Sequence, residues 1–199
     1  MIKVYGFNLS GNCYKVKLLL TLLNREFEWI ETNSLQGETR TQKFLSKNLN
    51  GKIPLLELEN GDILAESDAI LFYLAKNTSF LPEDNFKQAQ VLQWMFFEQY
   101  SHQPYIAVNR AMIKFRKNKE QFLAKFQENL VNGYKAFDVM ENHLAKKKYF
   151  VDDSYSIADI ALFAYTHVSS EGEFDLSKYK NILSWIERIK SHKSHIELI

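Results

Sequence analysis

The chain has one cysteine in 199 residues. Cys13 has no second cysteine with which to form an internal disulfide, and nothing argues for an oxidising compartment. An excess of charge of one sign is also missing: 25 Lys and Arg stand against 24 Asp and Glu, a formal net charge of +1. That balance offers no general field to nucleic acid or to an anionic membrane, so neither is an expected partner. No apolar run reaches the roughly 18 residues of a membrane helix. The opening MIKVYGF lacks the basic segment and long apolar stretch of a signal peptide. A cytoplasmic location is the expectation. The five histidines are scattered without cysteine or acid clusters beside them, so no metal site is expected. G-x-G-x-x-G, P-loop and G-x-S-x-G patterns are absent, which leaves dinucleotide dehydrogenases, NTPases and α/β-hydrolases without support.

What is present is ordinary globular material: 46% hydrophobic, 25% charged, with a mean hydropathy of −0.31. One domain, or two small ones, are both compatible with that length. Up to about residue 76 the pattern alternates. Ile2-Phe7 reads as a strand, Asn8-Asn12 as a loop, and Val16, Leu19, Leu20 and Leu23 share one helical face. Phe27-Thr32 is a second strand, giving a parallel pair through a right-handed crossover. A short helix over Thr39-Lys47 follows, then a strand Leu55-Glu59, an Asn60-Gly61 hairpin turn with both residues at positive φ, and a return strand Ile63-Ala65. Ser67-Lys76 closes this βαβ-ββα unit as a helix.

Beyond Asn77-Asn85 no strand pattern remains. Lys87-Phe115 and Glu120-Leu144 are long helical patterns, the first bent or interrupted at Pro104. The second carries Phe122, Phe126, Leu130, Phe137 and Leu144 on one stripe. Ser156-Val168 and Tyr179-His192 give two further helices. The boundary between an α/β unit and an all-helical one is expected near 77–86. In YSIADI, Ser156 and Asp159 have capping-box spacing, a structural role.

Three stretches could carry chemistry. NLSGNCYKV (8–16) places Ser10 and Cys13 at a helix N-terminus, where free amides and the dipole stabilise an anion. On its own Ser10 is an N-cap and Cys13 a small buried residue. In NGKIP, Pro54 stands at the first position of a strand, where a missing N–H is tolerated. A cis Ile53-Pro54 bond there would turn the Ile53 amide and carbonyl outward toward a peptide-like ligand. Glu66-Ser67 at a helix start either caps the helix or offers an acceptor for an ammonium and donors for a carboxylate.

Taken together, these residues resemble the glutathione transferases. The serine-bearing first turn, GKIP some forty residues later, Glu66-Ser67 twelve residues beyond Pro54 and the capping box SIADI occur in the family's order over essentially the whole chain. The resemblance implies a thioredoxin-like N-terminal α/β domain (1–77) and an all-α C-terminal helical domain (86–199), paired as a two-fold homodimer. It implies a cis Pro54, with Ile53 pairing through its backbone with the cysteinyl part of glutathione, and Glu66 and Ser67 holding the γ-glutamyl end. Ser10 then faces the sulfur, as in the serine-type classes, and Tyr5, inside the first strand, does not. Gly51 and Lys52 occupy positions where some members carry a histidine, and Leu49 stands where many carry proline. The glycine carboxylate of glutathione is therefore assigned to Lys52 first and Arg40 second.

The implied activity is attack of the glutathione thiolate on small electrophiles, a detoxification chemistry using glutathione as co-substrate and no metal. Tyr105, Asn109 and Phe115 are expected to line the apolar substrate pocket, open because little chain follows the last helix. Two other readings stand beside it: a thiol-transferase in which Cys13 forms a mixed disulfide with glutathione, and a protein-binding module without chemistry.

Overall fold

The computed structural model describes residues 1–198. The chain divides into two compact units: Met1–Lys76 joined by the residues from Lys193 onward, and Asn77–His192. The division falls where the alternating pattern ends. The grouping of the last residues with the first unit has no counterpart in the local pattern, because it comes from a long-range contact: the Tyr14 hydroxyl donates to the Ile196 carbonyl at 2.7 Å. Ile199, the expected end of the helical domain, lies outside the described residues.

The first unit is built on a four-stranded sheet of order β2-β1-β3-β4, with β1 (Ile2–Gly6), β2 (Phe27–Glu31), β3 (Leu55–Glu57) and β4 (Ile63–Ala65). β1 and β2 run parallel across the helix α1 (Gly11–Leu22), while β3 lies antiparallel to both β1 and β4. Val16, Leu18, Leu19 and Leu20 of α1 are fully buried. They cover the sheet with Ile70, Leu71 and Leu74 of α3 (Ser67–Ala75). The Thr39-Lys47 stretch splits into a 3-10 turn, Glu38–Arg40, and a short helix α2 (Gln42–Leu45).

Two expectations are corrected here. The strand expected over Leu55-Glu59 ends at Glu57, and the turn is longer than two residues. Leu58 N–H donates to the Asp62 carbonyl and Gly61 N–H to the Leu58 carbonyl. Only Gly61, at φ +88°, takes a left-handed conformation. Asn60 instead uses its side chain, accepting from the Asp62 amide, so it caps the turn locally rather than entering positive φ.

The second unit is helical: α4 (Asn85–Phe97), α5 (Gln103–Lys114), α6 (Leu123–Leu144), α7 (Ile157–Thr166) and α8 (Lys180–Lys190). Pro104 interrupts the first long pattern as expected, through a five-residue π turn at Glu98–His102. Proline has no N–H to offer the preceding turn, and a widened turn absorbs that loss. On α6 the expected stripe is buried at Phe126, Phe137 and Leu144, whereas Phe122 lies ahead of the helix and is 45% exposed. The capping box forms as expected: Asp159 accepts from the Ser156 amide at 2.9 Å and also from the Trp185 indole at 2.9 Å, tying α7 to α8.

Candidate functional site

Strand register decides what meets at the site. Tyr5 pairs with Leu55, and Leu55 with Ala65. β1 runs toward that end of the sheet, β3 away from it and β4 toward it. The residues after Gly6, before Leu55 and after Ala65 therefore leave the sheet at one edge. Those three stretches carry Ser10, Ile53-Pro54 and Glu66-Ser67.

Ser10 is the N-cap of α1, with φ −84° and ψ 121°. Its Oγ accepts from the Cys13 amide at 3.4 Å. A hydroxyl that accepts in this way keeps its hydrogen for donation. Cys13 is fully buried, and burial pushes its thiol up to about 11, outweighing the smaller lowering influences of the Ser10 hydroxyl and the Phe7 main chain. At neutral pH this group is a thiol, which opposes its assignment as a mixed-disulfide nucleophile. Tyr5 is also committed elsewhere: its hydroxyl donates to Glu57 Oε2 at 2.8 Å, and burial together with that carboxylate raises its pKa.

The Ile53-Pro54 bond is cis. Pro54 is buried immediately ahead of β3, outside the ladder, which answers why a proline is tolerated there. Ile53 is half-buried, and its main-chain groups make no hydrogen bond to another described residue. The preceding loop is fixed by hydrogen bonds from Gly51 N–H to the Asn48 carbonyl, Asn50 N–H to Asn48 Oδ1, Asn48 Nδ2 to the Lys52 carbonyl and Arg40 Nη1 to the Asn50 carbonyl. Gly51 sits at φ +61°, and a Cβ there would lie 2.6 Å from Arg40 Nη1. Glycine is required here by the positive φ, since the guanidinium of Arg40 can move aside. Arg40 clamps this loop, and Lys52 extends its side chain into solvent.

Glu66 is exposed at φ +69° and ψ 118°, a conformation few non-glycine residues adopt, and it makes no capping bond. Ser67 begins α3 and is buried. Beneath it lies a residue the motif reading passed over. Lys15, on α1, is fully buried, with Nζ 3.1 Å from Asp68 Oδ1 and 3.4 Å from Ser67 Oγ. The signal was there to read, since Lys15 shares a helical face with Leu18 and Leu19, both fully buried, whereas Lys17 lies on another face.

The residues expected to line the substrate pocket belong to the second unit. Tyr105 on α5 is half-buried, and Phe115 caps α5 beneath the Arg110 guanidinium, 5.1 Å from the ring centre. Asn109 does not line a pocket. It has no exposure, its amide donates to the Phe126 carbonyl at 3.1 Å, and its carbonyl accepts from Asn129 at 2.9 Å. A polar side chain on the buried face of α5 is held there by α6. A cleft of about 530 Å³ beside α7 and α8, lined by His167, Ser169, Phe174, Leu176, Ile186 and Lys190 among others, contains none of the expected residues.

Comparison with known proteins agrees with this architecture. Residues 4–82 match the glutathione S-transferase N-terminal domain and residues 94–193 the glutathione S-transferase C-terminal domain. A crystal structure of a glutathione S-transferase from Pseudomonas fluorescens Pf-5 superimposes with a TM-score of 0.98 at 52% identity, covering 100% of this chain and 98% of that one. Glutathione S-transferase F13 of Arabidopsis thaliana is 31% identical over 83% of this chain and 79% of its own length. A disulfide-bond oxidoreductase of Escherichia coli, YfcG, is 29% identical over 96% of this chain and 91% of its own. With both domain models matched in order across the two units, the chain belongs to the glutathione S-transferase family.

Proposed function

We propose that the protein is a serine-type glutathione transferase in which Ser10 stabilises the glutathione thiolate for attack on a small electrophile. The observation that carries this reading is the convergence, at one end of one sheet, of Ser10, the main chain of Ile53, which makes no hydrogen bond to another described residue, and the Glu66-Ser67 start of α3. An extended tripeptide would pair with Ile53, place its γ-glutamyl end on Glu66 and Ser67, and turn its sulfur toward Ser10. Its glycine carboxylate would fall to Lys52, with Arg40 as the second cation.

The energetics are adequate. A thiol with a pKa of about 8.5 must drop by about two units to be largely ionised at neutral pH, roughly 2.7 kcal/mol of preference for the anion. A hydrogen bond to a charged group contributes about 1.5–3 kcal/mol, and a helix N-terminus about 0.3–1 kcal/mol. Ser10 with the amide end of α1 covers that sum. Serine need only donate; its own proton stays.

In the second unit, Tyr105 and Phe115 are the candidates for contact with the electrophile. The reading also carries a two-fold homodimer, a cytoplasmic location and a role in detoxification. Phe96 and Tyr100, 68% and 83% exposed, are apolar surface that a second copy would cover. The YfcG relative raises the alternative of disulfide chemistry, but a Cys13-based version conflicts with the burial of that thiol.

The test is retention on immobilised glutathione followed by conjugation of a chlorodinitrobenzene. Wild type should bind and turn over, Ser10→Ala should bind but lose about ten- to a hundredfold in kcat/KM, and Cys13→Ala should retain turnover. Loss of activity in Cys13→Ala with full activity in Ser10→Ala contradicts the serine assignment, and failure of wild type to be retained favours a protein-binding module.

A further inference from the structure

The turn that carries Ser10 is held from outside the strand ladder. β1 and β2 end together, Gly6 opposite Glu31, and the Thr32 amide extends the pairing by donating to the Gly6 carbonyl at 2.7 Å. Glu31 then turns its carboxylate to the loop. Oε1 accepts from the amide of Asn8, just ahead of Ser10, at 3.2 Å, and Oε2 accepts from the Trp29 indole at 2.7 Å. The Trp29 ring lies across Gly6 so closely that a Cβ there would sit 2.4 Å from Cη2. From α1, Lys17 completes the ring of contacts, with Nζ 4.9 Å from the centre of the Trp29 ring and 3.0 Å from Asn8 Oδ1. Asn8 is therefore gripped by β2 through its main chain and by α1 through its side chain. The charge of Glu31 is the unexpected part, because a carboxylate disfavours an anion forming near it. Burial is the main reason the neighbouring Cys13 thiol is raised, and the Glu31 charge adds to it.

Resting on the serine assignment above, we infer that Glu31 is a positioning residue that fixes the β1–α1 turn so that the Ser10 hydroxyl meets the glutathione sulfur. The Ser10 amide donates to the Phe7 carbonyl at 2.9 Å, and its Oγ accepts from the Cys13 amide at 3.4 Å. Where that hydroxyl lies thus depends on where the whole turn lies, and a hydrogen bond weakens steeply once its donor is misaligned. Glu31 acts on the sulfur in two opposed ways. Its charge disfavours the thiolate directly, while its grip on Asn8 favours the thiolate through Ser10. Trp29 holds the carboxylate in place, and Lys17 both holds Asn8 and offsets the charge of Glu31. The grip is the larger effect.

Thiolate absorbance of bound glutathione, titrated against pH, separates the two effects by their sign. Glu31→Ala should raise the apparent pKa by about half a unit or more, with a fall of about threefold or more in kcat/KM at pH values below it. In a Ser10→Ala background the same substitution should leave the pKa unchanged or lower it, because only the charge is then left to remove. Trp29→Phe keeps a ring over Gly6 and alters no charge, but it takes away the bond to Glu31. It should raise the pKa by about 0.3 unit, and it decides the matter if Glu31→Ala does not fold. A pKa in Glu31→Ala equal to or below that of wild type, or an equal rise with and without Ser10, overturns the inference and leaves the network as a tie between β2 and the turn. An unshifted pKa in Trp29→Phe overturns it likewise. A wild type that does not bind glutathione, or a Ser10→Ala protein whose bound thiol titrates as in wild type, removes the serine assignment itself, and that failure is read before Glu31 is altered.

Discussion

At the scale of single residues, position in the fold separates Ser10 from Cys13, although they sit three apart at the same helix start. Ser10 lies outside the first turn with extended backbone angles, so its hydroxyl is at the mouth of the helix. Cys13 lies inside the turn and faces the core, and the loss of water around it keeps the proton on sulfur up to a pH of about 11. Native protein at pH 8 should therefore resist alkylation by iodoacetamide at Cys13 and react promptly once unfolded in urea, as read by intact mass. Rapid labelling of the native state at that pH contradicts the burial of the thiol. The sequence shows both residues at a helix N-terminus; which of the two the helix turns inward depends on where α1 meets the sheet. The same limit hid Lys15, whose hydrophobic neighbours were legible and whose partners, fifty residues on in α3, were not.

Among the elements, those with strong local signals formed where the pattern put them. α1, α3, α7 and the parallel β1-β2 pair follow from periodicity, and the capping box of α7 follows from Ser156 and Asp159 alone. The misjudged elements are those settled by neighbours. β3 is shorter than its apolar run, the Asn60-Gly61 connection closes as a five-residue turn, and Asn109 is drawn into the α5–α6 contact by Asn129 and the Phe126 carbonyl. The capping box also carries a consequence beyond its local role, because Asp159 is fully buried. Burial raises its carboxyl to about 6 from an ordinary 3.8, against the lowering effect of four hydrogen bonds from Ser156, Trp185 and Phe150. An acid that holds its proton more tightly when folded stabilises the fold below the unfolded value and loses that contribution as pH climbs through the folded one. Between about pH 4 and pH 6, this group should cost the native state roughly 3 kcal/mol. Urea unfolding of wild type and Asp159→Asn at several pH values measures it. The stability of wild type relative to the variant should fall across that interval, and a difference that is flat with pH contradicts the assignment.

The whole molecule is two units of different character, and the composition shift near residue 77 reveals that much directly. The sequence motifs for the proposed glutathione site fall entirely in the first unit, on three separate stretches whose meeting depends on mixed sheet topology. Neither Ser10, Ile53-Pro54 nor Glu66-Ser67 signifies much alone; the register of Tyr5 with Leu55 and Leu55 with Ala65 makes them neighbours. Local spacing could announce each stretch, but an antiparallel β3 beside a parallel β1-β2 pair is what turns three loops into one surface. The helical unit was easier to foresee as helices than as a site, since the side chains that face a ligand depend on packing between elements far apart in the chain. The central claim is that this surface binds glutathione and ionises its thiol at the mouth of α1. Titration of the thiolate absorbance of bound glutathione against pH, in wild type and in Ser10→Ala, tests it most directly. Wild type should show an apparent pKa near 6.5, about two units below that of the free thiol, and the variant a rise of about one unit or more. Equal pKa values in the two proteins, with both binding the tripeptide, contradict it.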